Sequence, residues 1–300
     1  SKVCNDYFQA NFPEYQVSNE LNLYSKWKET HEMDITDEEK IKVFTQKETI
    51  ILEPKLDSLS DLISFLERTP YDVSKEYNIN LKCLHEIEPE LIQLNDMIGI
   101  ENIKHSIMYQ LLYFIQGFAN NTEHGDYKHT ILMGPPGTGK TEIAKLLGKM
   151  YAKMGILKSK TFKKVTRTDL VAGYLGQTAI KTRKVIDECM NGVLFIDEAY
   201  SLQPDDNFAK ECVDTLCEAL SDHKNNLMVI IAGYEKELLD TIFKTNEGLK
   251  SRFIWSFSIE SYSSKELYLI FKHLAKCRKW EVDNSVKCNW FESNKECFSY

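Results

Sequence analysis

Short apolar runs alternate with helical spacing over the last two thirds of the chain. They lie at residues 130–133, 193–196, 227–232 and 253–257, with a weaker, alternating run at 162–165. Segments with helical periodicity, such as residues 103–118, separate these runs from one another. Strands that alternate with helices are typical of βαβ units. The pattern therefore predicts an α/β fold with a five-stranded parallel sheet between helices.

The first third of the chain has helical spacing. Thr36 and Glu39 form a capping box for a helix that is predicted to end near Thr49. Ser58 is predicted to cap a second helix, and the apolar positions within residues 81–87 predict a third, short one. We therefore expect this region to be helical.

Charge and glycine content change near residue 92. Residues 1–92 hold 10 basic and 19 acidic residues, whereas residues 93–300 hold 27 basic and 26 acidic residues. Glycine first occurs at Gly99. We therefore predict a domain boundary near residue 92, after an acidic helical N-terminal region. That region is interpreted as either a solvated helical appendage or a docking domain for a partner or substrate.

The composition argues against several classes of protein. The net charge of −8 is unlike that of a protein that coats nucleic acid through bulk charge, and 11% aromatic residues argue against intrinsic disorder. The sequence shows neither an apolar run of about 18 residues nor a signal-peptide pattern at its start, so we expect no membrane association. Its eight cysteines include no C-x-x-C pair, which is typical of a reducing compartment. We therefore expect a cytoplasmic protein.

A phosphate-binding motif lies at residues 134–141, which read Gly-Pro-Pro-Gly-Thr-Gly-Lys-Thr and fit G-x-x-x-x-G-K-[ST]. The glycines let backbone N–H groups face a phosphate, and a helix predicted from about Lys140 to Ala152 directs its positive end at the same anion. Lys140 is expected to reach the β- and γ-phosphates, and Thr141 Oγ is expected to ligate Mg²⁺. The residues expected to bind the nucleotide are Pro135, Pro136, Gly137, Thr138, Gly139, Lys140 and Thr141.

A second motif supplies acids for the magnesium ion. The apolar run at residues 193–196 ends in Asp197 and Glu198. Carboxylates at the end of a buried strand cost desolvation energy unless a cation or water receives their charge. Asp197 is expected to bind Mg²⁺ through water, and Glu198 is placed to polarise the attacking water.

Together these motifs resemble those of the AAA+ ATPases. Further segments narrow the resemblance to the group that contains red-type Rubisco activase and stage V sporulation protein K. These segments are residues 165–170, 173–179, 194–202, 231–234 and 246–253. It covers about residues 93–275, so residues 1–92 lie outside it. It implies a P-loop core at residues 93–262, an incomplete helical lid at residues 263–300, and ATP with Mg²⁺ as cofactors.

The resemblance also implies roles for single residues. Ile98 and Gly99 match a segment that contacts adenine. Tyr174 and Leu175 match an aromatic–apolar–Gly pore loop that grips a polypeptide in the channel of a hexamer. Arg252 matches an arginine finger, which reaches the γ-phosphate held by the neighbouring subunit. The expected catalytic residues are therefore Lys140, Glu198 and Arg252.

Two positions depart from the family pattern. Many AAA+ proteins use an Asn to orient the attacking water, and the matching position here is Tyr234. The first lid helix is expected at residues 265–276, and no Arg follows it that matches the second nucleotide sensor of the lid.

The implied function is ATP-driven remodelling, chaperone-like or unfoldase-like, by a homo-oligomeric, hexameric ring that pulls on an unknown protein client. Two alternatives remain open: a nucleotide-gated assembly scaffold, and a DNA-associated AAA+ ATPase such as a helicase or loader. The complete set of Lys140, Asp197, Glu198 and Arg252 argues against the scaffold. The aromatic pore loop and the lack of a basic stripe argue against nucleic acid as a partner.

Overall fold

The computed structural model describes residues 48–117, 127–174, 176–203, 205–283 and 285–294. The chain divides into two compact units, one made of Ser1–Leu52 and Asp72–Asn78 and the other of Glu53–Tyr71 and Ile79–Tyr300. Along the described residues, every helix is too short or too polar to traverse a bilayer.

The first unit contains a small parallel strand pair, β1 (Glu48–Ile50) and β2 (Lys75–Tyr77). Beyond β1, the Leu52 amide donates to Asn78 Oδ1 over 2.8 Å, and Asn78 Nδ2 donates to the Leu52 carbonyl over 3.0 Å. The prediction that a helix continues to about Thr49 is wrong, since residues 48–50 form a strand. The β-branched side chains of Thr49 and Ile50 favour that conformation. The rest of that predicted helix lies outside the described residues.

The second unit alternates helices and strands. Its helices include α1 (Leu59–Arg68), α2 (Leu81–Asp96), α3 (Glu101–Ile115), α4 (Lys140–Lys153), α5 (Arg167–Leu170), α6 (Thr178–Glu188), α7 (Asn207–Asp222), α8 (Glu235–Asp240), α9 (Ile242–Thr245), α10 (Glu247–Lys250), α11 (Ser264–Cys277) and α12 (Cys288–Ser293). Its strands are β3 (Thr130–Met133), β4 (Phe162–Val165), β5 (Val193–Ile196), β6 (Met228–Gly233) and β7 (Trp255–Ser258).

The five strands form one parallel sheet in the order β4-β5-β6-β3-β7, which confirms the predicted α/β architecture. Every residue of β5 and β6 is buried, as expected for central strands of a sheet that is covered on both faces. The edge strand β4 carries Lys163 and Lys164 instead. Parallel pairing brings the carboxyl ends of all five strands to one edge of the sheet, and the candidate site lies there.

Helix α2 is longer than the short helix predicted from its first apolar positions. Its buried positions continue at helical spacing past Pro89 to Leu94. Glu90, which is 7% exposed, accepts a 2.6 Å hydrogen bond from Lys153 Nζ at the end of α4. Helix α2 also runs through residue 92, and the domain boundary that we place there stays a prediction.

Helix α11 confirms the helix expected at residues 265–276. Ser263 and Glu266 form its capping box, with the Ser263 amide donating to Glu266 Oε2 over 2.7 Å. The predicted lid is therefore described up to residue 294 as α11 followed by α12.

Candidate nucleotide and magnesium site

The loop between β3 and α4 needs glycine at its turns. A Cβ at Gly134 would lie 2.6 Å from the Ile259 carbonyl oxygen, and Gly139 has a φ of +88°. Helix α4 then begins at Lys140, so its first N–H groups face the concave side of the loop. Thr138 Oγ1 closes the loop on itself by donating to the Pro135 carbonyl over 2.8 Å.

Lys140 folds back over this loop. Its Nζ donates to the carbonyl oxygens of Gly134 and Pro135 at 2.7 and 2.6 Å. Burial lowers the pKa of Lys140 below its ordinary value, and the negative charge of Asp197 acts in the opposite direction. The ammonium group therefore lies within the phosphate-binding loop and interacts electrostatically with the acid that follows β5.

The loop faces an open pocket of about 370 Å³. The pocket gathers the phosphate loop, both acids after β5 and the end of β6: its lining is Gly134, Pro136, Gly137, Thr138, Gly139, Lys140, Thr141, Glu142, Asp197, Glu198, Tyr200, Gly233 and Tyr234. Most of the predicted phosphate- and magnesium-binding residues therefore meet in one place. Pro135 belongs to the loop but is not part of the lining.

Asp197 and Glu198 are held by the end of the β4–β5 ladder. The Asp197 amide donates to the Val165 carbonyl over 2.9 Å, one residue beyond the end of β5. Asp197 Oδ1 accepts from the Glu198 amide at 3.1 Å, and Asp197 Oδ2 lies 2.6 Å from Lys164 Nζ. Glu198 is exposed and has a left-handed φ of +52°, a backbone conformation that costs about 1–2 kcal/mol for a residue with a Cβ. Such strain is often retained at functional sites.

Two tyrosines border the acids. The rings of Tyr200 and Tyr234 lie 5.7 Å apart between centroids, and burial, followed by the charge of Glu198, raises the pKa of Tyr200. Strand β6 lies between β3 and β5, so Gly233 and Tyr234 separate the phosphate loop from Asp197. The Gly134 amide donates to the Gly233 carbonyl over 3.1 Å, which ties the loop to this strand.

The segment expected to contact adenine lies against the start of the lid. Gly99 has a φ of +72°, and a Cβ there would lie 2.5 Å from Glu266 Oε1 and 3.3 Å from Tyr262 Cε1. Neither Ile98 nor Gly99 lines the pocket at the phosphate loop. Tyr262, directly before the predicted lid, contacts that loop, because its hydroxyl donates to the Thr138 carbonyl over 3.1 Å.

Arg252 lies at the opposite edge of the sheet from the pocket. It precedes β7, at the amino edge of the sheet, whereas the phosphate loop follows β3 at the carboxyl edge. Its Nε donates to Ser221 Oγ over 2.8 Å, and its Nη1 donates to the Gly248 carbonyl. A Cβ at Gly248 would lie only 3.3 Å from that Nη1, so Gly248 leaves room for the guanidinium group.

Tyr174 is 74% exposed, so its ring lies outside the core of the second unit. A Cβ at Gly173 or Gly176 would meet no atom within 4 Å, so there is free space beside each of these glycines. Leu175, its predicted neighbour in the pore loop, lies outside the described residues.

The pocket fits a magnesium ion by the chemistry of its donors. The hydroxyl group of Thr141 and the carboxylate of Asp197 line the same pocket, and both are the hard oxygen ligands that Mg²⁺ prefers. When bound with a nucleotide, Mg²⁺ would neutralise charge that develops on the phosphates.

Sequence reasoning missed three neighbours of the acids and the loop. Tyr262 and Lys164 lie in no motif, and Tyr200 lies in a segment of family resemblance that assigned it no role. Folding brings each of them to the site. Only Lys164 had a usable signal. Alternation along residues 162–165 places Lys163 and Lys164 on opposite faces of β4, so one of them must approach the acids that follow the paired strand.

Residues 130–254 match the family described as "ATPase family associated with various cellular activities (AAA)". The cfxQ-like protein R730 of Acanthamoeba polyphaga mimivirus is 36% identical over 250 residues, which cover 81% of this chain and 61% of that protein. The ESX-1 secretion system protein EccA1 of Mycobacterium tuberculosis is 43% identical over 213 residues, which cover 68% of this chain and 37% of that protein. The chain therefore spans less than two thirds of the length of these relatives.

Among solved structures, the RuvB Holliday junction branch migration motor of Thermotoga maritima aligns with a TM-score of 0.45 at 23% identity, over 63% of this chain and 55% of that chain.

The curated relatives carry cfxQ and EccA names rather than the names of a Rubisco activase or a stage V sporulation protein K. They support the same AAA+ group, and the narrower resemblance stays an expectation. The phosphate loop and the paired acids therefore both lie within residues 130–254, the part of the chain that is similar to the AAA ATPase family.

Proposed function

We propose that this protein uses ATP hydrolysis to remodel a protein client, acting as a ring of identical subunits. The observation that carries the proposal is the exposure of Tyr174, 74% of whose surface is accessible on an open loop between two glycines. An exposed aromatic side chain on such a loop is free to stack on another molecule, and Tyr174 stands at the position that resembles an aromatic pore loop. The aromatic ring of a tyrosine can stack on a polypeptide without requiring a particular sequence.

The chemistry at the pocket follows from the positions of four side chains. Lys140 and the N–H groups at the start of α4 hold the phosphates of ATP. Thr141 supplies an oxygen ligand for Mg²⁺, Asp197 binds the ion through water, and Glu198 orients and polarises the attacking water. The exposed position of Glu198 at the pocket gives it access to that water. Negative charge develops on the γ-phosphate during hydrolysis. Within the pocket, Lys140 and Mg²⁺ are the cations assigned to offset it, and a further cation would complete the site.

Arg252 supplies this missing cation from a neighbouring subunit. The sheet separates it from its own phosphate loop by the length of a strand, about 13 Å for four residues. Ser221 and the Gly248 carbonyl hold its guanidinium group at a partly exposed position. A ring that brings this amino edge of one sheet to the pocket of the next subunit completes the site. We infer a hexamer from the family pattern.

The client is proposed to be a protein rather than a nucleic acid. The net charge of −8 disfavours a phosphate backbone, and the relative EccA1 is named as a secretion system protein. Ile98 and Gly99 are proposed to border the adenine, because their segment lies beside Tyr262 and the phosphate loop. The acidic N-terminal region is proposed to dock partners or clients.

The test compares ATPase stimulation by two added polymers. We expect a permanently unfolded protein to raise the ATPase rate of the wild-type chain and single-stranded or duplex DNA to leave it unchanged. Tyr174→Ala should remove the stimulation, while Tyr109→Ala, which truncates another exposed aromatic side chain on α3, should keep it. Stimulation by DNA alone would instead support the DNA-associated alternative.

A further inference from the structure

A lysine that belongs to no recognised motif lies on the magnesium-binding acid. Lys164 Nζ is 2.6 Å from Asp197 Oδ2. We propose that Lys164 competes with Mg²⁺ for the Asp197 carboxylate, so that magnesium binding at the pocket requires this ion pair to open. The inference rests on the ATP and magnesium site of the proposed function and adds a residue that controls access to it.

The fold places Lys164 at this position through the register of two strands. In the β4–β5 pair, Lys164 lies opposite Phe195 and Val165 opposite Ile196. The Asp197 amide then continues the ladder by donating to the Val165 carbonyl. Lys164 and Asp197 are therefore diagonal neighbours at the carboxyl end of the pair, within reach of a long side chain.

The adjacent lysine shows that the direction of the side chain decides the partner. Successive residues of a strand point to opposite faces, and Lys163 pairs with Glu188 at the end of α6 instead. Both lysines are therefore half-exposed cations on the same edge strand, each paired with one acid. Only the partner of Lys164 lines the nucleotide pocket.

Both oxygens of Asp197 are engaged in this arrangement. Oδ1 accepts the Glu198 amide, and Oδ2 faces Lys164. An ammonium group beside Oδ2 neutralises the carboxylate at the end of a buried strand, which reduces the cost of placing it there. The same ammonium group repels a divalent cation that approaches this oxygen. Binding of Mg²⁺ near Asp197 Oδ2 and the ion pair with Lys164 therefore weaken each other.

The ion pair is weak enough to exchange. The Lys164 side chain is 49% exposed, and its flexible stem can carry the ammonium group into solvent. Solvent-exposed ion pairs contribute little free energy. Removing this pair should therefore change the apparent affinity for Mg²⁺ by about two- to fivefold. Salt should reduce that factor further, because it screens exposed charges. Lys164 therefore sets the magnesium concentration at which the site fills, without closing the site.

The experiment measures nucleotide binding rather than hydrolysis. Mg²⁺ is titrated into the full chain at low ionic strength with a fixed concentration of a fluorescent, non-hydrolysable ATP analogue. We expect Lys164→Met to lower the magnesium concentration at half-saturation by about two- to fivefold. The shift should diminish in high salt. Lys164→Arg, which keeps the cation, should stay at or above the wild-type midpoint.

Lys163→Met is the matched control, because it removes the equivalent cation from the other face of the same strand. Its magnesium midpoint should equal that of the wild-type chain. A Lys164→Met midpoint equal to or above that of Lys163→Met would overturn the competition. A wild-type chain that bound no analogue, or bound it independently of Mg²⁺, would overturn the magnesium site itself and this inference with it.

Discussion

Two lysines organise the negative charge of the pocket. Lys140 interacts with the loop carbonyls and with the charge of Asp197, while Lys164 approaches the same acid from the edge strand. Their sequence contexts differ. Lys140 stands in a motif whose spacing fixes its role, whereas Lys164 acquires its neighbour only through strand pairing. The sequence therefore predicted the first lysine and not the second.

Lys140 should be needed for nucleotide binding. Replacing it with Ala removes the one charged side chain of the phosphate loop. Because a hydrogen bond to a charged group contributes about 1.5–3 kcal/mol, the affinity for ATP should fall by roughly 10- to 100-fold or more. Binding of a fluorescent ATP analogue measures this. Lys149→Ala, which removes an exposed lysine of the same helix that does not line the pocket, is the control and should bind like the wild-type chain. Equal affinity of the two variants would contradict the assigned role.

Glu198 should be needed for turnover and not for binding. Glu198→Gln keeps the size of the side chain but removes the base, so the hydrolysis rate should fall by about 10²- to 10⁴-fold while ATP still binds. Single-turnover hydrolysis and equilibrium binding separate the two effects. Glu218→Gln, which changes an exposed acid paired with Arg183, should leave both unchanged. A wild-type rate in Glu198→Gln would mean that another group activates the water.

His129 should make the fold sensitive to acid. It is buried, its Nδ1 accepts from the Val229 amide at 3.0 Å, and burial lowers its pKa from 6.5 to about 3. The unfolded chain therefore binds a proton below pH 6.5 that the folded chain does not take up until about pH 3. The free energy of unfolding falls across that window, by several kcal/mol at its acid end, since one pKa unit is about 1.4 kcal/mol.

The measurement compares urea unfolding at pH 7 and pH 4.5. His129→Asn keeps an acceptor for the Val229 amide and cannot be protonated in this range, so it should lose less stability than the wild-type chain between the two pH values. His273→Asn, which replaces an exposed histidine on α11, should lose as much as the wild-type chain. Equal losses in all three proteins would show that His129 does not contribute.

Elements with a strong local signal were predicted well. Ser58 caps α1 by accepting the Asp61 amide, and the apolar residues 193–196 form β5 with the predicted bounds. The small β1–β2 pair was not predicted, because its strands are only three residues long and their partners lie far apart in sequence. Local periodicity cannot reveal such a pairing. The geometry around Arg252 was equally hidden, since Ser221 and Gly248 come from other elements.

The loop that carries Tyr174 should act on clients and not on nucleotide. Tyr174→Ala should leave ATP affinity and the basal ATPase rate within about twofold of wild type, since an exposed side chain contributes little to folding. Client remodelling should be abolished. It is measured as the loss of fluorescence when a fluorescent protein with an unfolded tag is unfolded. Tyr109→Ala is the matched control. Normal remodelling by Tyr174→Ala would contradict the pore-loop proposal.

The whole molecule is incomplete as a catalyst if Arg252 acts across a subunit boundary. Arg252→Ala should then keep ATP binding and lose turnover by about 10³- to 10⁵-fold, the range for arginine fingers supplied in trans. Arg183→Ala, which removes an exposed arginine of α6, should turn over normally. The wild-type ATPase rate per subunit should also rise with protein concentration as rings form. A monomeric preparation with a concentration-independent rate would contradict the ring.

Mixing two inactive variants tests the shared site most directly. Arg252→Ala and Glu198→Gln subunits are combined, and the ATPase rate is measured while light scattering establishes that mixed rings form. At some interfaces an intact Arg252 then meets an intact Glu198 in the adjacent pocket. We predict that the mixture regains a substantial part of the wild-type rate, far above the sum of the two variants alone. Mixed rings that remain as inactive as their parents would contradict a site completed by the neighbouring subunit.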